Sequence, residues 1–276
     1  MKKEKKLLLF GDIVGVTATV IIFIIPFYFM FVNSLKDKKS ANRLTIAWPQ
    51  EFHWENYLEV FKTNNYMLAT AFKNSLLLTL FSVLVLIVTC SMAGYVIQRR
   101  RDKTVRVLSH IIMLGLMIPA AILPTLSLLQ GLHIYKTLFS MVMIETALGA
   151  PFTIMLYRGF MASVPSELEE AARIDGCNRW QIFSKIVFPL LKPITATVVI
   201  LDSVTVFNDF TNPLYFLPGN ENATVQLTLY NFKGMYASSY NLLFADVILI
   251  TLPMLVLFLI FNKKIIAGMT AGSVKG

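Results

Sequence analysis

"ELEEAARIDGCNRWQIFSKIVFPLL", Glu167 to Leu191, is a charged segment set between two stretches apolar enough to cross a bilayer. Its first part reads as a short helix. Ser166 followed by Glu169 has the S-x-x-E spacing of a capping box, and Glu167, Glu169 and Glu170 sit in the first turn, where the helix dipole favours negative charge. Ala171 and Ala172 continue the helix with side chains small enough for another surface to come close. Asp175-Gly176 then breaks it, because glycine takes the left-handed conformation that ends a helix without Cβ strain. A second helix, from about Asn178, carries Trp180, Phe183, Ile186 and Val187 at helical spacing until Pro189 stops it. The segment is expected to form a helix–turn–helix lying across one face of a membrane, its turn pointing away from the bilayer. The plain alternative is a connector folded for its own stability, although such a connector could be much shorter.

Only 15% of the 276 residues are charged and 56% are hydrophobic, where soluble domains usually carry about a quarter charged residues. The charges cluster in blocks that bound long apolar runs, the pattern of an all-α, polytopic membrane protein. A helix needs roughly 20 apolar residues to cross the hydrocarbon core. Six stretches qualify: Leu7–Val32, Phe72–Ile97, Val107–Leu129, Leu138–Phe160, Lys192–Leu217 and Leu242–Phe261. The first is too long for the core of a signal peptide, about 7–15 residues, and is read as an uncleaved span. Cys90 and Cys177 make no pair or metal spacing with His53, His110 or His133, so neither redox nor zinc chemistry is expected.

Orientation follows from the basic residues. With the N-terminus inside, 17 of the 25 Lys and Arg fall in inner segments and eight in outer ones. Positive charge gathers on the cytoplasmic side, which puts both termini, residues 161–191 and the tail 262–276 inside, with long loops 33–71 and 218–241 outside. The net charge of +9 is therefore a topology signal and not a nucleic-acid surface. The block "RRRDKTVR", Arg99–Arg106, is expected to meet anionic lipid heads. In the first outer loop, "WENYLEVF" sets Trp54, Tyr57, Leu58 and Phe61 on one helical face, which suits either rest on the membrane surface or a docking contact. Pro218–Tyr240 opens on a turn and offers amides and aromatics, as either a solvated connector or a contact surface.

A family resemblance enters at the charged segment. Glu170-Ala171-Ala172, then Gly176, Ile186 and Pro189 at their spacings, resembles the "EAA" loop of permease subunits of ATP-binding-cassette importers. "FNDFTNPLYF" (Phe207–Phe216), "ENATVQLTL" (Glu221–Leu229) and "GMTAGSVKG" (Gly268–Gly276) are similar to the maltose-type subfamily that imports carbohydrates, and the matches cover most of residues 160–276. Phe188 stands where the family has Leu, Phe207 where many members have Trp, and Ser273 where they have Ala. The resemblance implies the type I importer permease fold and a site in the cell membrane. It implies a second permease subunit, two cytoplasmic ATPases that hold Mg-ATP, an extracytoplasmic solute-binding protein and a sugar substrate, with no cofactor or metal on this chain and no enzymatic activity of its own. In line with that division, the chain has no G-x-x-x-x-G-K-[ST] phosphate loop. The family places the turn of the loop in a groove of the ATPase, which here assigns coupling to Glu170, Ala171, Ala172, Asp175, Gly176 and Arg179. Docking of the binding protein falls to Asn220, Asn222, Thr224 and Gln226, and the tail is implied to reach the interface between the ATPases.

The fifth span suggests the substrate path. At about 100° per residue, Asp202, Thr205, Asn208, Asp209 and Asn212 fall within roughly a third of the helix circumference. Polar groups at membrane depth usually face a bundle interior or a water-filled cavity. Amides and carboxylates suit sugar hydroxyls, and Phe207, Phe210 or Tyr215 can stack on a pyranose ring; the alternative is packing against neighbouring helices. Pro213 marks an expected kink or end. Glu145 is open between structural pairing and cavity lining, and Asp12 and Asp246 read as solvated groups near span ends. Two other classes compete with the permease reading. An ion- or proton-coupled carrier would use Asp202, Asp209 and Glu145, but no obvious internal repeat of the kind such carriers often show is present. A membrane-embedded enzyme would need a catalytic or metal constellation, and none is found.

Overall fold

A computed structural model describes residues 2–234 and 238–271, with side chains for 11–234 and 238–261. The end of the Gly268–Gly276 tail and the side chains of Lys2, Lys3, Lys5, Lys6, Lys263, Lys264 and Lys275 lie outside the described residues. What is described is almost wholly helical. Helices α1 (Lys2–Ser34), α2 (Lys38–Ala41), α3 (Glu55–Arg99), α4 (Lys103–Leu114), α5 (Ile122–Gly131) and α6 (Leu138–Met161) come first. They are followed by α7 (Glu167–Ile174), α8 (Arg179–Leu190), α9 (Lys192–Phe207), α10 (Thr211–Phe216), α11 (Val225–Thr228) and α12 (Tyr240–Ala271). Among the described residues, four helices are each long and apolar enough to cross a membrane: Gly11–Ser34, Glu55–Arg99, Leu138–Met161 and Tyr240–Phe261. The bent pair α8 and α9, turning through 74°, is long and apolar enough when taken together.

Two compact units can be told apart, one of residues up to Ala69 with Thr228–Leu252, the other of Thr70–Leu227 with the helix from Pro253 on. In the first, α1 exposes Ile13, Val16, Ile22 and Phe23 on all sides, as a helix does when lipid supplies its burial. Beyond it the chain is fastened by polar side chains. Asn56 donates to the carbonyls of Ser34 and Lys36 and accepts from Asn241, all at 2.8–2.9 Å. Lys36, counted from sequence as an outer-loop charge, is buried instead, its ammonium donating to Asn33 Oδ1 and to the Thr45 carbonyl and hydroxyl. That burial holds Lys36 below the ordinary lysine range. The Trp54–Phe61 helix turns Asn56 and Val60 inward and leaves Trp54 and Leu58 outside. Trp54 stands in a run of ring contacts through Phe52 and Trp48 to Tyr28, the kind of aromatic belt found at a membrane–water interface. Helix α3 is interrupted where Asn64, Asn65 and Tyr66 all take positive φ, a run that Asn tolerates better than most residues.

The second unit is built around α6. Leu86 lies over Gly149 and Tyr157 over Gly94, a matched spacing that makes α3 and α6 run in the same direction. Arg158 bonds Ser109 while Pro151 meets Gly115, so α4 runs against α6. Thr153 bonds Asp202 and Tyr157 bonds Thr195, so α9 runs against it too. Because α3 and α6 are parallel, the chain returns between them, and α4 and α5 make that return in two pieces. The stretch 107–129, read from sequence as one span, is broken between Leu114 and Ile122. Pro119 disfavours helix at Ile118, so the helix must stop short of it. Gly94 is where the α3–α6 approach is closest: a Cβ there would come within 2.8 Å of Tyr157 Cβ and 3.1 Å of the Arg158 nitrogen. Small residues at such crossings let helices pack closely in membranes.

Replacing Gly94 by Val should therefore lower the apparent melting temperature of the purified chain measurably, at a cost of about 1–3 kcal/mol for overpacking. Gly159→Ala, at a position with nothing within 4 Å, should leave it unchanged. A thermal-shift assay in detergent compares the two, and equal melting of both variants would refute the close crossing.

Candidate functional site

The charged segment folds as a helical hairpin, with its local details moved. Helix α7 ends in a left-handed glycine cap: Gly176 has φ +83, the Cys177 N–H reaches the Ala172 carbonyl at 2.9 Å and the Gly176 N–H the Arg173 carbonyl at 3.1 Å. These are the two bonds of a Schellman motif. The capping box expected at Ser166 is not formed. Ser166 has helical backbone angles and no capping bond, and its would-be partner Glu169 is 3% exposed and turned inward. Glu169 accepts from Arg99 Nε at 2.6 Å and from the Tyr95 hydroxyl at 2.8 Å, while Arg99 Nη2 also donates to the Val164 carbonyl at 2.8 Å. A capping box forms instead beyond the glycine stop, where Asn178 and Gln181 satisfy each other's backbone N–H at the start of α8. Helix α8 runs through Pro189. Its turn Ile182–Val187 opens into π geometry, since Pro189 has no N–H to give the Lys185 carbonyl.

Of the residues assigned to coupling, Glu170, Ala171, Asp175, Gly176 and Arg179 are exposed. Ala172 is not: it is buried in the apolar core that joins Leu86, Tyr157, Phe160 and Val198 of the membrane helices to Ile182, Phe183 and Val187 of α8. The exposure of Ile174 at 87% was not foreseen. An isoleucine beside a helix-ending glycine, with no apolar partner at i+3 or i+4 on the same short helix, was the available sign.

A second feature is a cavity of ≈ 240 Å³ lined by Leu86 of α3, Glu145, Leu148 and Gly149 of α6, Asp202, Thr205 and Val206 of α9, and Asp209 and Asn212 beyond it. Helix α9 stops at Phe207, six residues before the Pro213 expected to kink or end it, and the reason is Asp209. Its Oδ1 accepts from the backbone N–H groups of Thr211 and Asn212 at 2.9 and 3.3 Å, and Oδ2 from the Asn212 amide at 2.7 Å, which starts α10 afresh. The break still delivers four of the polar residues read from the fifth span, Asp202, Thr205, Asp209 and Asn212, to one cavity with Glu145. Asp202 is 5% exposed and accepts from Thr153 at 2.9 Å. Glu145 Oε1 is buried with no hydrogen-bond partner among the described residues. Carboxylates, a hydroxyl and an amide are interspersed with Leu86, Leu148 and Val206 around the cavity, a lining that offers a ligand both hydrogen bonds and apolar contact.

Two of the six residues assigned to the path lie elsewhere. Phe207 is 1% exposed and does not line the cavity, so it offers no face for ring stacking. Asn208 accepts from the Gln226 amide at 2.9 Å. In the loop 218–241, Thr224 is 2% exposed and cannot present itself to a partner, while Asn220 is exposed and Asn222 and Gln226 are half-buried. The loop is seated by Asn74, which donates to the Glu221 and Ala223 carbonyls at 3.0 Å, and by Ser75, which accepts from the Val225 N–H. Asp246 is no solvated end group: it is 0% exposed, one oxygen held by Thr228 and the other without a hydrogen-bond partner among the described residues.

The chain is similar along nearly its whole length to known permeases. It is 36% identical over 255 residues, covering 91% of each chain, to the "Melibiose/raffinose/stachyose import permease protein MelC" of Bacillus subtilis (strain 168). It is 32% identical over 281 residues, covering 100% of each, to the "Multiple sugar-binding transport system permease protein MsmG" of Streptococcus mutans serotype c. Its fold matches a chain in the crystal structure of a bacterial ABC transporter involved in import of the acidic polysaccharide alginate, with TM-score 0.81, 20% identity, and coverage of 94% of this chain and 97% of that one. The comparisons give no support to the ion- or proton-coupled carrier. Residues 87–270 match the family of binding-protein-dependent transport system inner membrane components, and the chain belongs to that family: it is a multi-pass permease subunit of the ABC-importer type, with the type I fold, and not an enzyme.

Proposed function

We propose that the chain forms half of the translocation path of an ATP-driven importer of neutral oligosaccharides, coupling ATPase closure to alternating access. It works beside a second permease subunit, over two cytoplasmic ATPases that hold Mg-ATP, and takes its sugar from an extracytoplasmic solute-binding protein. One observation carries the reading: the exposed hairpin and the polar cavity belong to one compact unit and meet at Leu86, which packs in the hairpin's apolar core and lines the cavity. The names of the relatives point to oligosaccharides as the substrate class. The chain then crosses the membrane six times, the third crossing made by α4 and α5 and the fifth by α9 with α10, and both termini lie in the cytoplasm.

In this reading the ATPase grips the turn of the hairpin through Glu170, Ala171, Ile174, Asp175 and Gly176. Ala172 supports the turn from beneath, and Arg179 stands to one side. Asn220, Asn222 and Gln226 belong to the surface that meets the binding protein. The sugar passes the cavity edge-on to Asp202, Asp209, Asn212 and Glu145, where hydroxyl groups replace water as hydrogen-bond partners, and Thr205 sets the width.

Thr205 bonds only its own helix, through the Leu201 carbonyl, so Thr205→Phe fills the cavity without breaking a contact between helices. Uptake of a raffinose-type sugar by the reconstituted complex should fall roughly tenfold while the subunits still co-purify; unchanged uptake would remove the cavity from the path.

Gly176→Val meets open space but must hold φ +83, a strain of about 1–2 kcal/mol that tilts the turn instead of unfolding the unit. ATP hydrolysis should continue with uptake reduced several-fold. Uptake that persists at the normal rate, or that follows a proton gradient with the ATPases inactive, would sink the coupling role.

A further inference from the structure

A larger concavity, of ≈ 960 Å³, opens between the end of α3 and the hairpin, lined by Met92, Tyr95, Val96, Arg99 and Arg100 on one side and by Arg173, Cys177, Asn178, Arg179, Trp180, Ile182 and Phe183 on the other. We propose that it binds the headgroup of an anionic phospholipid, with the guanidinium groups on the phosphate and the aromatic and aliphatic wall on the glycerol and upper acyl chains.

The lining changes character in one direction. Along α3 it runs from Met92 through Tyr95 and Val96 to Arg99 and Arg100, from apolar to aromatic to cationic over about 10 Å of helix. A phospholipid changes in the same order from acyl chain to phosphate. Met92 and Val96 are 38% and 40% exposed on a helix apolar enough to span the membrane, so the apolar end of the concavity lies at membrane depth. Tyr95 and Phe183 stand 5.5 Å apart, Trp180 packs beside Phe183 at 6.1 Å, and Trp180 remains 61% exposed, as amphipathic rings do at a headgroup layer.

The cationic end is unpaid for by the protein. Arg99 is matched by Glu169, but among the described residues the guanidinium groups of Arg100, Arg173 and Arg179 make no hydrogen bond or ion pair, and no carboxylate lines the concavity. The three guanidinium groups, from the residue after α3, from α7 and from α8, line one concavity and suit a phosphodiester, which accepts such N–H groups in forked pairs. An acidic segment of the ATPase would satisfy the same charges. It would not use Met92 and Val96, however, and the turn offered to the ATPase, Ile174 to Gly176, is not part of the lining.

Native mass spectrometry of the assembled complex, delipidated and then titrated with phosphatidylglycerol or phosphatidylcholine, tests the proposal. Phosphatidylglycerol should be retained selectively, and the Arg100→Gln/Arg173→Gln double variant should retain it about tenfold less. Lys185→Gln/Lys192→Gln, which removes two exposed charges outside the lining, should behave as the parent. As a check that needs no arginine change, Trp180 emission in a Trp48→Phe/Trp54→Phe background should be quenched by brominated-chain phosphatidylglycerol at lower mole fraction than by the phosphatidylcholine analogue. Equal retention of the two lipids, or equal quenching, overturns the proposal. Displacement of the lipid by an equal concentration of inorganic phosphate overturns it in favour of a free-phosphate site. Loss of ATPase co-purification in the double variant with lipid retention intact overturns it in favour of protein docking.

Discussion

The buried carboxylate of Glu169 is the joint on which the hairpin depends. It sits in the first turn of α7, yet its oxygens are held by Arg99 Nε and the Tyr95 hydroxyl of α3, and Arg99 also reaches the Val164 carbonyl where α6 gives way to the hairpin. Removing one partner of such a buried pair costs on the order of 3 kcal/mol, because the other is left charged and unmatched. The apolar core continues the joint inward, from Ala172 and Phe183 to Tyr157 and Val198. The hairpin is thus a surface extension of the membrane helices and not a tether hanging from them.

Rigidity of this kind decides what the outer half of the unit can do. Interior packing transmits displacement because it resists compression, and α9 leaves the hairpin directly after Leu191 with a bend of 74°. A displacement of α8 is handed on at once to a helix whose residues Asp202 and Thr205 line the cavity. The wall formed by Asp209 and Asn212 is made differently, by a side-chain cap that restarts the chain as α10. One side of the cavity therefore belongs to the helix continuous with the hairpin, and the other to the start of a short helix whose Phe216 packs into a separate core with Leu78, Leu129 and Met141.

Much of this was legible in the sequence, and the failures have common causes. The helix–turn–helix, its glycine stop and the gathering of Asp202, Thr205, Asp209 and Asn212 all follow from local rules of spacing and backbone freedom. The capping box at Ser166 failed because Glu169 found a stronger, non-local partner in Arg99, and periodicity carries no record of that pairing. Arg99 itself was read only as one more inner-side charge. The break in the third span had a signal, Gly115 and Pro119, which the hydropathy of residues 107–129 hid. Phe207 and Thr224 were chosen by residue type, and burial, which type does not determine, withdrew both. Asp246 shows the same limit in reverse: a position near a helix end looked solvated, but Thr228 and the surrounding helices enclose it.

The polar residues that resist local reading sort by what surrounds them. Asn56 and Lys36 have their bonding capacity taken up by backbone carbonyls and neighbouring side chains, which marks them as fasteners of the outer loop. Glu145 has a carboxyl that lies against that of Asp209, with its Oε1 buried and without a hydrogen-bond partner among the described residues, and it faces a cavity lined by further polar groups. An unmatched buried oxygen costs about 1–3 kcal/mol, and hydroxyl groups of a passing ligand would offset that cost at a cavity that Glu145 shares with Asp202 and Asp209. The same test separates Arg99, which is matched, from Arg100, Arg173 and Arg179, which are not. In both places the incomplete groups face a concavity, one within the helices and one beside the hairpin, and it is there that the protein meets what it does not itself contain.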